Sequence, residues 1–439
     1  MIGRICVTLL TITLVSGCGP QTGPNVKTPQ DGSRHLALQP GSGTPEANAA
    51  TESEKVLLGS PELLAGIPGQ GDLTVAEIQA WLAKSTNHAP LDIGFPMWLE
   101  PGAGQAKDLK DNPMTRAKIE LGRQLFFDKR LSADNTVSCA SCHEPEKGYT
   151  VSTPFAKGIG GQTGNRNPPT LLNRVMLALG HDQQFWDGRS TSVEDALLHA
   201  LSDKTEMAAA PEATITKLKG IDGYRLQFER IYQDVTWDAV GDAIGCFVRC
   251  LVTGSSPYDY SERWEVYKDL DPELLAEAPE LAARREEAKA AAEQHVMSDS
   301  ARRGEYLFFG NKAWCSACHN GANFTDERYH NTGIGLQAEQ PDLGRYVITK
   351  RDEDWGAFKT PSIRTAVWTA PYMHDGSLAT LEDVIAWYAH EGMANRNLDY
   401  RYKRVAGDEL TEQDKIDLVA FIKSCSGPLP QVETGRLPK

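Results

Sequence analysis

Two copies of one short pattern carry the chemistry that the sequence suggests. Thr136–Thr150 contains CASCH and Lys312–Thr325 contains CSACH. Two cysteines three positions apart with an adjacent histidine are typical of covalent haem attachment, in which the thiols bind the vinyl groups and the imidazole binds the iron. A thioredoxin-like disulfide, which needs no histidine and a βαβ setting, and a zinc site are the alternatives. The sequence therefore predicts two haem c groups, held by Cys139, Cys142, His143, Cys315, Cys318 and His319.

An internal repeat places both motifs after a helix. ELGRQLFF (Glu120–Phe127) precedes the first motif, and RRGEYLFF (Arg302–Phe309) precedes the second. In each, a glycine is followed three residues later by Leu-Phe-Phe, which predicts an amphipathic helix that runs toward the cysteines. Strand signals are sparse, so we expect a mainly α-helical chain with long loops. Periodicity predicts further helices at Leu73–Lys84, Ser192–Leu201, Trp237–Val252, Leu381–Tyr388 and Glu412–Ser424.

Length and charge limit the classes of partner. The 439 residues, 40% of them hydrophobic, favour two or three domains. The 45 Lys and Arg residues against 59 Asp and Glu give a formal net charge of −14, which repels nucleic acid and anionic membrane surfaces. We therefore expect no nucleic-acid partner, and charged partners should be basic.

The first 18 residues are typical of an export signal. One arginine precedes an apolar run that is too short to span a bilayer, and small residues follow. Val15–Cys18 resembles the lipobox of bacterial lipoproteins, in which Cys18 would carry the lipid; ordinary export with a chance cysteine is the alternative. The composition of residues 19–55 is that of a flexible tether. We expect a periplasmic protein with a lipid anchor in the bacterial membrane.

Three cysteines outside the motifs remain after export. Cys246 and Cys250 lie one helical turn apart, a spacing that rarely suits disulfide geometry. Together with Cys425 they allow one disulfide at most. Buried thiols are the default interpretation, and the pairing of the three stays open.

The order of several motifs resembles that of the bacterial dihaem cytochrome c peroxidases and MauG. The matching segments include LGRQLFFDKRLSADNTVSCASCH, GNRNPPTLLN, FWDGR, LFFGNKAWCSACH, YHNTGIG and FKTPSIRTAVWTAPYMHDGSLATLEDVIAWY, within Arg116–Phe421. The resemblance implies two cytochrome c-like helical domains, each with one haem, and a calcium ion between them. The domains expected on this basis are an export signal (1–18), a tether (19–55), an extension with short helices (56–110), a peroxidatic haem domain (111–260), a linker helix (261–300) and an electron-transfer haem domain (301–430).

The resemblance assigns different roles to the two haems. It implies that the haem on His143 reacts with peroxide and that the haem on His319 relays electrons. The peroxidases place a methionine ligand twelve residues after the Gly376 position, where this chain has Tyr388, as in MauG. Phenolate ligation stabilises ferric and higher-valent iron, whereas methionine raises the potential. The alternative is that Tyr388 is a core aromatic residue of an amphipathic helix.

The residues expected around the haem on His143 differ from those of the peroxidases. The peroxidases place a displaceable histidine where alignment puts Ile159, which cannot bind iron. Unless His181 or His199 reaches in, the haem on His143 is expected to be five-coordinate. Glu206 matches the family's distal acid, a general acid–base group, although an exposed helix-end residue is the alternative. The companion glutamine of the peroxidases is replaced by Ala196, for which His199 could compensate.

Further positions follow from the resemblance alone. Trp186 matches the tryptophan between the haems, which passes electrons or holes; a buried core tryptophan is a compatible alternative. Calcium would be bound by the Asn167 side chain and the Thr369 and Pro371 carbonyls, with waters. Four arginines are candidates for pairing with haem propionates: Arg166, Arg189, Arg345 and Arg364.

These features predict a peroxide-dependent oxidoreductase. Its electron donor would be a small cytochrome c or cupredoxin, as for the peroxidases, or residues of a partner protein, as for MauG. A non-enzymatic, membrane-tethered dihaem electron carrier is the alternative and requires strong ligands on both faces of both irons. A haem-based sensor ranks last because no signalling segment follows the haem domains.

Overall fold

The computed structural model of the chain shows a mainly α-helical protein, as the sequence predicts. None of its described helices is long and apolar enough to cross a membrane. The predicted export signal, Cys18 and the predicted tether up to residue 54 lie outside the described residues. The described residues are 55–101, 109, 111–175, 182–390, 395, 397–402 and 410–439.

Many helices begin at a side chain that caps their free N–H groups. Thr115 Oγ1 accepts a hydrogen bond from Lys118 N–H, and Thr236 Oγ1 accepts one from Ala239 N–H, both at 3.1 Å. The helices expected from periodicity are present, with ends that differ by a few residues. The helices are α1 (Pro61–Leu64), α2 (Val75–Leu82), α3 (Arg116–Phe127), α4 (Cys139–Cys142), α5 (Val193–Ser202), α6 (Pro211–Lys219), α7 (Asp222–Tyr232), α8 (Trp237–Arg249), α9 (Pro257–Tyr267), α10 (Pro272–Glu277), α11 (Pro279–Gln294), α12 (Asp299–Phe309), α13 (Tyr346–Thr349), α14 (Leu381–Ala389) and α15 (Glu412–Ser424).

The strands of the described chain are short and form two ladders. β1 (Val56–Leu57) pairs in parallel with β2 (Ile93–Gly94). β3 (Tyr329–His330) pairs antiparallel with β4 (Phe358–Lys359), with Tyr329 opposite Lys359. The second ladder fixes the loop that follows the second cysteine motif.

Two large hydrophobic cores divide the helical part of the chain, beside a small cluster of Ile67, Leu73, Ile78 and Leu82. The larger core takes its buried residues from 56–252, and the smaller takes them from 297–425. We call residues 55–252 the first half and residues 297–425 the second half. Each half contains one cysteine motif, so each motif has a core of its own beside it.

The repeated glycine lets a pair of helices approach closely in each half. α3 crosses α8 at Gly122, where a Cβ atom would lie 1.9 Å from the Ala243 carbonyl oxygen. α12 crosses α15 at Gly304, where a Cβ atom would lie 1.9 Å from the Asp417 carbonyl oxygen. No side chain fits at either contact, so the repeated glycine of the sequence marks the repeated helix crossing.

The repeated phenylalanines pack across the same two crossings. The ring centroids of Phe126 and Phe247 lie 5.2 Å apart in the first half. Those of Phe308 and Phe421 lie 4.9 Å apart in the second half. These tilted aromatic pairs fill the space beside the glycine, which explains why the Leu-Phe-Phe sequence repeats with it.

The charged segment between the halves forms α10 and α11. Ala288 is the buried residue of α11, which packs against α9. The Arg285 guanidinium lies 5.3 Å from the centroid of the Trp264 ring, so long side chains mediate much of this contact. α11 is therefore a largely solvated helix, in agreement with its charged, alanine-rich sequence.

Residues 428–439, which we call the C-terminal strap, return to the first half. Arg436 is buried there and donates to the Ile67 carbonyl at 2.7 Å and the Gly71 carbonyl at 3.0 Å. Its guanidinium also pairs with Glu77 at 2.7 Å. The Arg123 guanidinium of α3 donates to the Glu433 carbonyl at 2.8 Å and the Arg436 carbonyl at 2.9 Å, so the strap joins the N-terminal extension to α3.

Candidate functional site

The first motif forms a single helical turn that presents a histidine. α4 spans the two cysteines, and the His143 N–H donates to the Cys139 carbonyl at 3.0 Å. His143 Nδ1 lies 2.9 Å from the Tyr149 carbonyl oxygen. Donation from Nδ1 leaves the Nε2 lone pair free to bind a metal, and burial lowers the pKa of His143, which keeps the ring neutral.

The second motif repeats this arrangement in a 3₁₀ turn. The His319 N–H donates to the Cys315 carbonyl at 2.9 Å, and His319 Nδ1 lies 3.2 Å from the Phe324 carbonyl oxygen. Burial lowers the pKa of His319 as well. Phe324, with φ +48°, and its counterpart Tyr149, with φ +58°, both adopt the left-handed conformation. Two strained residues in matching places indicate that each carbonyl is held in position for its histidine.

A cavity of about 450 Å³ touches both motifs. The four motif cysteines are free, and burial raises the pKa of Cys139 and of Cys315 to about 12. Thiols and a neutral imidazole that converge on a largely apolar cavity fit a covalently bound haem at each motif.

Tyr388 lies in the last turn of α14 and lines the cavity on the side of the second motif. Burial raises the pKa of its phenol, and the nearby Cys318 contributes to the shift. Its ring centroid lies 5.5 Å from that of Tyr402. None of the described residues forms a hydrogen bond with the Tyr388 hydroxyl, which leaves its oxygen available to a metal.

Glu206 lines the cavity together with the first motif. Burial and the negative charge of Asp203 raise the pKa of Glu206 to about 7, and Arg189 opposes the shift. A carboxyl group that titrates near neutral pH is suited to accept and return a proton. The alternative interpretation of Glu206, as an exposed residue at a helix end, does not agree with this environment.

The positions of Ala196 and His199 bear on the other predictions made for the first haem. Ala196 lines the cavity, as its alignment with the family glutamine implies. His199 does not line it; its side chain is 53% exposed and its Nδ1 lies 2.6 Å from Ser190 Oγ. The suggestion that His199 compensates for Ala196 or reaches the first haem is therefore wrong. His181 lies outside the described residues.

The Ile159 backbone packs against the same acid. Its N–H donates to the Glu206 carbonyl at 2.8 Å, within a 3₁₀ turn at Ile159–Gly161. Gly158 allows this approach, since a Cβ atom there would lie 2.0 Å from the Thr205 carbonyl oxygen. The Ile159 side chain is partly exposed and is not among the residues that line the cavity.

Trp186 lines the cavity between segments of the two halves. Its indole N–H donates to the Asn167 carbonyl at 2.8 Å. Its own carbonyl accepts from the Lys359 N–H of β4, also at 2.8 Å. The Asn167 N–H in turn donates to the His374 carbonyl at 2.7 Å. Trp186 therefore lies at the junction where both halves contribute to one cavity.

The family model for di-haem cytochrome c peroxidase matches residues 116–265. MauG of Methylorubrum extorquens is 34% identical over 75% of this chain and 84% of its own length. The cytochrome c551 peroxidase of Pseudomonas aeruginosa is 30% identical over 77% of this chain and 87% of its own length. The chain belongs to the dihaem cytochrome c peroxidase and MauG family. It is therefore an oxidoreductase with two haem c groups.

Solved structures of the family share the fold. A MauG-like protein associated with microbial copper homeostasis is 29% identical, with a TM-score of 0.60, over 72% of this chain and 91% of the other. The dihaem peroxidase BthA of Burkholderia thailandensis is 19% identical, with a TM-score of 0.51, over 72% and 87% of the two chains. The second likeness concerns the fold alone.

One of the calcium residues expected for this family, Asn167, lies beside Trp186. Asn167 is 5% exposed, and its Nδ2 donates to the Thr153 and Pro154 carbonyls at 3.2 and 3.1 Å. None of the described residues donates to its Oδ1, which remains available as a hard oxygen ligand. Thr369 and Pro371 line the same cavity. The three residues are compatible with a calcium ion at the junction of the halves.

The four candidate arginines have different environments. Arg166 and Arg189 line the cavity, so they remain candidates for the haem propionates. Arg364 is 3% exposed and pairs with Asp259 at 2.9 Å, and Arg345 lies 3.9 Å from the centroid of the Tyr329 ring. Neither lines the cavity, and both are engaged in packing between elements. The structure therefore gives no support to these two arginines as propionate partners.

Sequence reasoning missed a polar cluster on the side of the second motif. His330 Nδ1 lies 2.7 Å from Asp399, and its Nε2 lies 2.9 Å from Asp326. Asp399 also pairs with Arg401 at 3.2 Å, and Arg401 lines the cavity with His330. His330 lies within the YHNTGIG motif, so the sequence could have indicated it. Arg401 lies outside all the matching motifs.

The three remaining cysteines are buried thiols. Cys246, Cys250 and Cys425 are all free and have no exposed surface. Cys246 Sγ lies 3.4 Å from Asn112 Oδ1. Burial raises the pKa of all three, which makes them unreactive and confirms the default interpretation.

Proposed function

We propose that the protein is a peroxide-dependent oxidoreductase of the MauG type. Cys139 and Cys142 would tether the first haem and His143 would bind its iron, with no protein ligand on the other face. The second haem would be tethered by Cys315 and Cys318 and bound by His319 and Tyr388. The haems supply iron that can be oxidised and reduced, and the protein supplies position, protons and exclusion of water.

The Tyr388 hydroxyl, which lies beside the second motif and forms no hydrogen bond with the part of the chain that the structure describes, carries this proposal. A phenolate ligand favours oxidised iron, so it suits storage of oxidising equivalents better than acceptance of electrons from a mild donor. Ile159 supports the same conclusion on the first side, because it offers no ligand where the peroxidases have histidine. Such a protein is expected to react with peroxide without prior reduction.

The residues around the first motif suggest how peroxide is handled. Glu206 would accept a proton from bound peroxide and return it to the leaving oxygen, since its pKa of about 7 allows both steps near neutral pH. Trp186 would provide the path between the two haems, and a calcium ion on Asn167, Thr369 and Pro371 would fix that junction.

The second substrate is either a small electron-donor protein or a protein whose residues are oxidised. The net charge of −14 favours a basic partner surface in either case. We place the protein in the periplasm, anchored through Cys18. Fast turnover with reduced cytochrome c, without prior reduction of the enzyme, would count against the protein-modifying alternative.

Spectroscopy of the ferric protein tests the ligand assignment. We expect one high-spin iron on His143 and one low-spin iron on His319, and addition of one equivalent of peroxide should change both signals. Tyr388→Phe removes only the phenol oxygen and should convert the second iron to a different spin state. Tyr402→Phe, in the neighbouring ring, is the matched control and should not. A ferric spectrum without a high-spin component, unchanged by peroxide, would instead identify an electron carrier.

A further inference from the structure

A buried ion cluster lies at the junction of the two halves. Glu327 of the second half is 1% exposed. Its carboxylate accepts from the Lys359 ammonium at 2.7 Å and from Arg174 of the first half at 3.1 and 3.3 Å. The two cations hold the pKa of Glu327 below its ordinary value in spite of burial, so the carboxylate is charged. One anion between two cations leaves one net positive charge in this cluster.

The cluster fastens the segment that carries Trp186. The Lys359 ammonium donates to the Gln183 carbonyl, and the Lys359 N–H donates to the Trp186 carbonyl at 2.8 Å. The Arg174 Nε donates to Gln184 Oε1 at 3.2 Å. Residues 183–186 are therefore held at three points by Lys359 and Arg174: at Gln183 and Gln184 by the two cationic groups that share Glu327, and at Trp186 by the Lys359 backbone.

This segment needs external support because its backbone is strained. Phe185 has φ +66°, a conformation that is rare for a bulky side chain and persists only where the surroundings enforce it. The turn closes on itself through Gln184 N–H to the Ser190 carbonyl at 2.8 Å. That bond lies within the first half, so it cannot fix the turn relative to the second half.

Burial of the Lys359 ammonium is energetically unfavourable, so other interactions must offset it. Burial lowers the pKa of Lys359 to about 8, and Glu327 only partly offsets the effect. A buried ion pair is often no more stabilising than apolar residues of the same volume. The Lys359 ammonium also donates to the Gln183 carbonyl of the Trp186 segment, a contact that an apolar side chain could not make.

We propose that Lys359 and Glu327 are positioning residues that hold Trp186 in its orientation between the two haem sites. The inference rests on the role of Trp186 in the proposed function. It concerns residues of the second half, which fix an aromatic side chain of the first half through its backbone.

Hydrogen exchange of the holoenzyme tests the positioning directly. Lys359→Met keeps the aliphatic stem and removes the ammonium, and Glu327→Gln removes the charge that holds both cations. Either change should speed amide exchange in a peptide spanning Gln183–Arg189 by on the order of tenfold, because local opening becomes easier. Lys312→Met, which breaks a pair with Asp414 elsewhere in the second half, is the control and should leave this peptide unchanged. Unchanged exchange in both cluster variants would overturn the proposal.

A kinetic measurement separates positioning from general damage. After one equivalent of peroxide, stopped-flow absorbance should show a first change on the His143 side and a later change on the His319 side. Lys359→Met should slow the later phase by about ten- to a hundredfold and leave the first unchanged, because a misplacement of up to 1 Å costs up to about 10²-fold in rate. Equal slowing of both phases would contradict the proposal.

Trp186→Phe distinguishes a failure of the positioning role of Lys359 and Glu327 from a failure of the proposed function. If it slows the later phase whereas the cluster variants do not, the positioning role is wrong and the proposed function stands. If it leaves the later phase unchanged, the path through Trp186 fails and the proposed function must be revised. Should Lys359→Met not fold, Glu327→Gln decides the question by the same two measurements.

Discussion

Glu206 shows how its surroundings prepare a single residue for proton transfer. Its carboxyl group faces a cavity beside the Cys142 thiol, where burial penalises the charged form. Asp203 adds repulsion and Arg189 removes part of it, so the pKa comes to about 7. The same side chain on an exposed helix end would be ionised at neutral pH and would be a poor source of protons.

The pH dependence of the peroxide reaction follows from this pKa. A raised pKa means that Glu206 keeps its proton to higher pH, so it is mostly neutral at pH 6 and mostly ionised at pH 8. Because the carboxylate accepts the peroxide proton, the rate should rise between these values. Glu206→Gln should remove the rise and slow the reaction by about 10²–10⁴-fold in stopped-flow measurements.

Asp203→Asn is the informative partner for that experiment. It removes the negative charge that helps to raise the pKa of Glu206, so the rise in rate should move to lower pH. A pH profile that survives unchanged in Glu206→Gln would show that another group carries the proton.

At the scale of elements, two helix crossings form the repeated scaffold of the protein. α3 on α8 and α12 on α15 each use a glycine for close approach and a phenylalanine pair beside it. Each cysteine motif follows the first helix of its pair, so the crossing determines where the histidine lies. The repeat in the sequence is thus a repeat of packing as well as of chemistry.

Gly122→Ala and Gly304→Ala should each destabilise the half in which they lie. A Cβ atom 1.9 Å from a carbonyl oxygen forces the helices apart, which costs about 1–3 kcal/mol as overpacking. Denaturant unfolding, followed through the haem absorbance, measures the effect. Gly435→Ala is the control: its Cβ would meet only ordinary contacts, at 3.5 Å from Glu433, and stability should change little. Equal stability of all three variants would show that the crossings can adjust.

At the scale of the whole molecule, the contacts that join distant segments fix the relation of the parts. The C-terminal strap ties the N-terminal extension, which the buried Arg436 contacts, to α3, whose Arg123 donates to strap carbonyls. At the junction of the halves, Lys359, Glu327 and Arg174 join the two motif-bearing segments. Lys359 and Arg174 also line the cavity that the two motifs share.

Arg436→Ala should lower the free energy of unfolding by about 2–3 kcal/mol, because it removes charge-assisted hydrogen bonds and leaves buried carbonyls without donors. Arg225→Ala removes an exposed arginine that pairs with Asp222 and Glu229, and should change the free energy of unfolding little, because solvent screens such pairs. Denaturant titration of both variants makes the comparison. A cost for Arg436→Ala no larger than that for Arg225→Ala would mean that the strap is not a stabilising element.

Local patterns in the sequence predicted much of the site. Two cysteines at fixed spacing with an adjacent histidine indicate haem attachment. The helical period of hydrophobic residues, together with capping residues, places helices such as α8 and α14 with small errors at the ends. The family resemblance supplied Tyr388 and Glu206, and both line the cavity. Errors arose where a role depends on orientation: His199 points away from the cavity, and Arg364 is engaged by Asp259.

The sequence by itself determined the two haem motifs, the helical class and the glycine-marked repeat, because covalent spacing and helical period act over a few residues. Only the tertiary structure decided that Glu206 titrates near neutral pH and that Lys359 holds the Trp186 segment. Burial and contacts between the halves depend on residues far apart in the chain, and no local pattern records them.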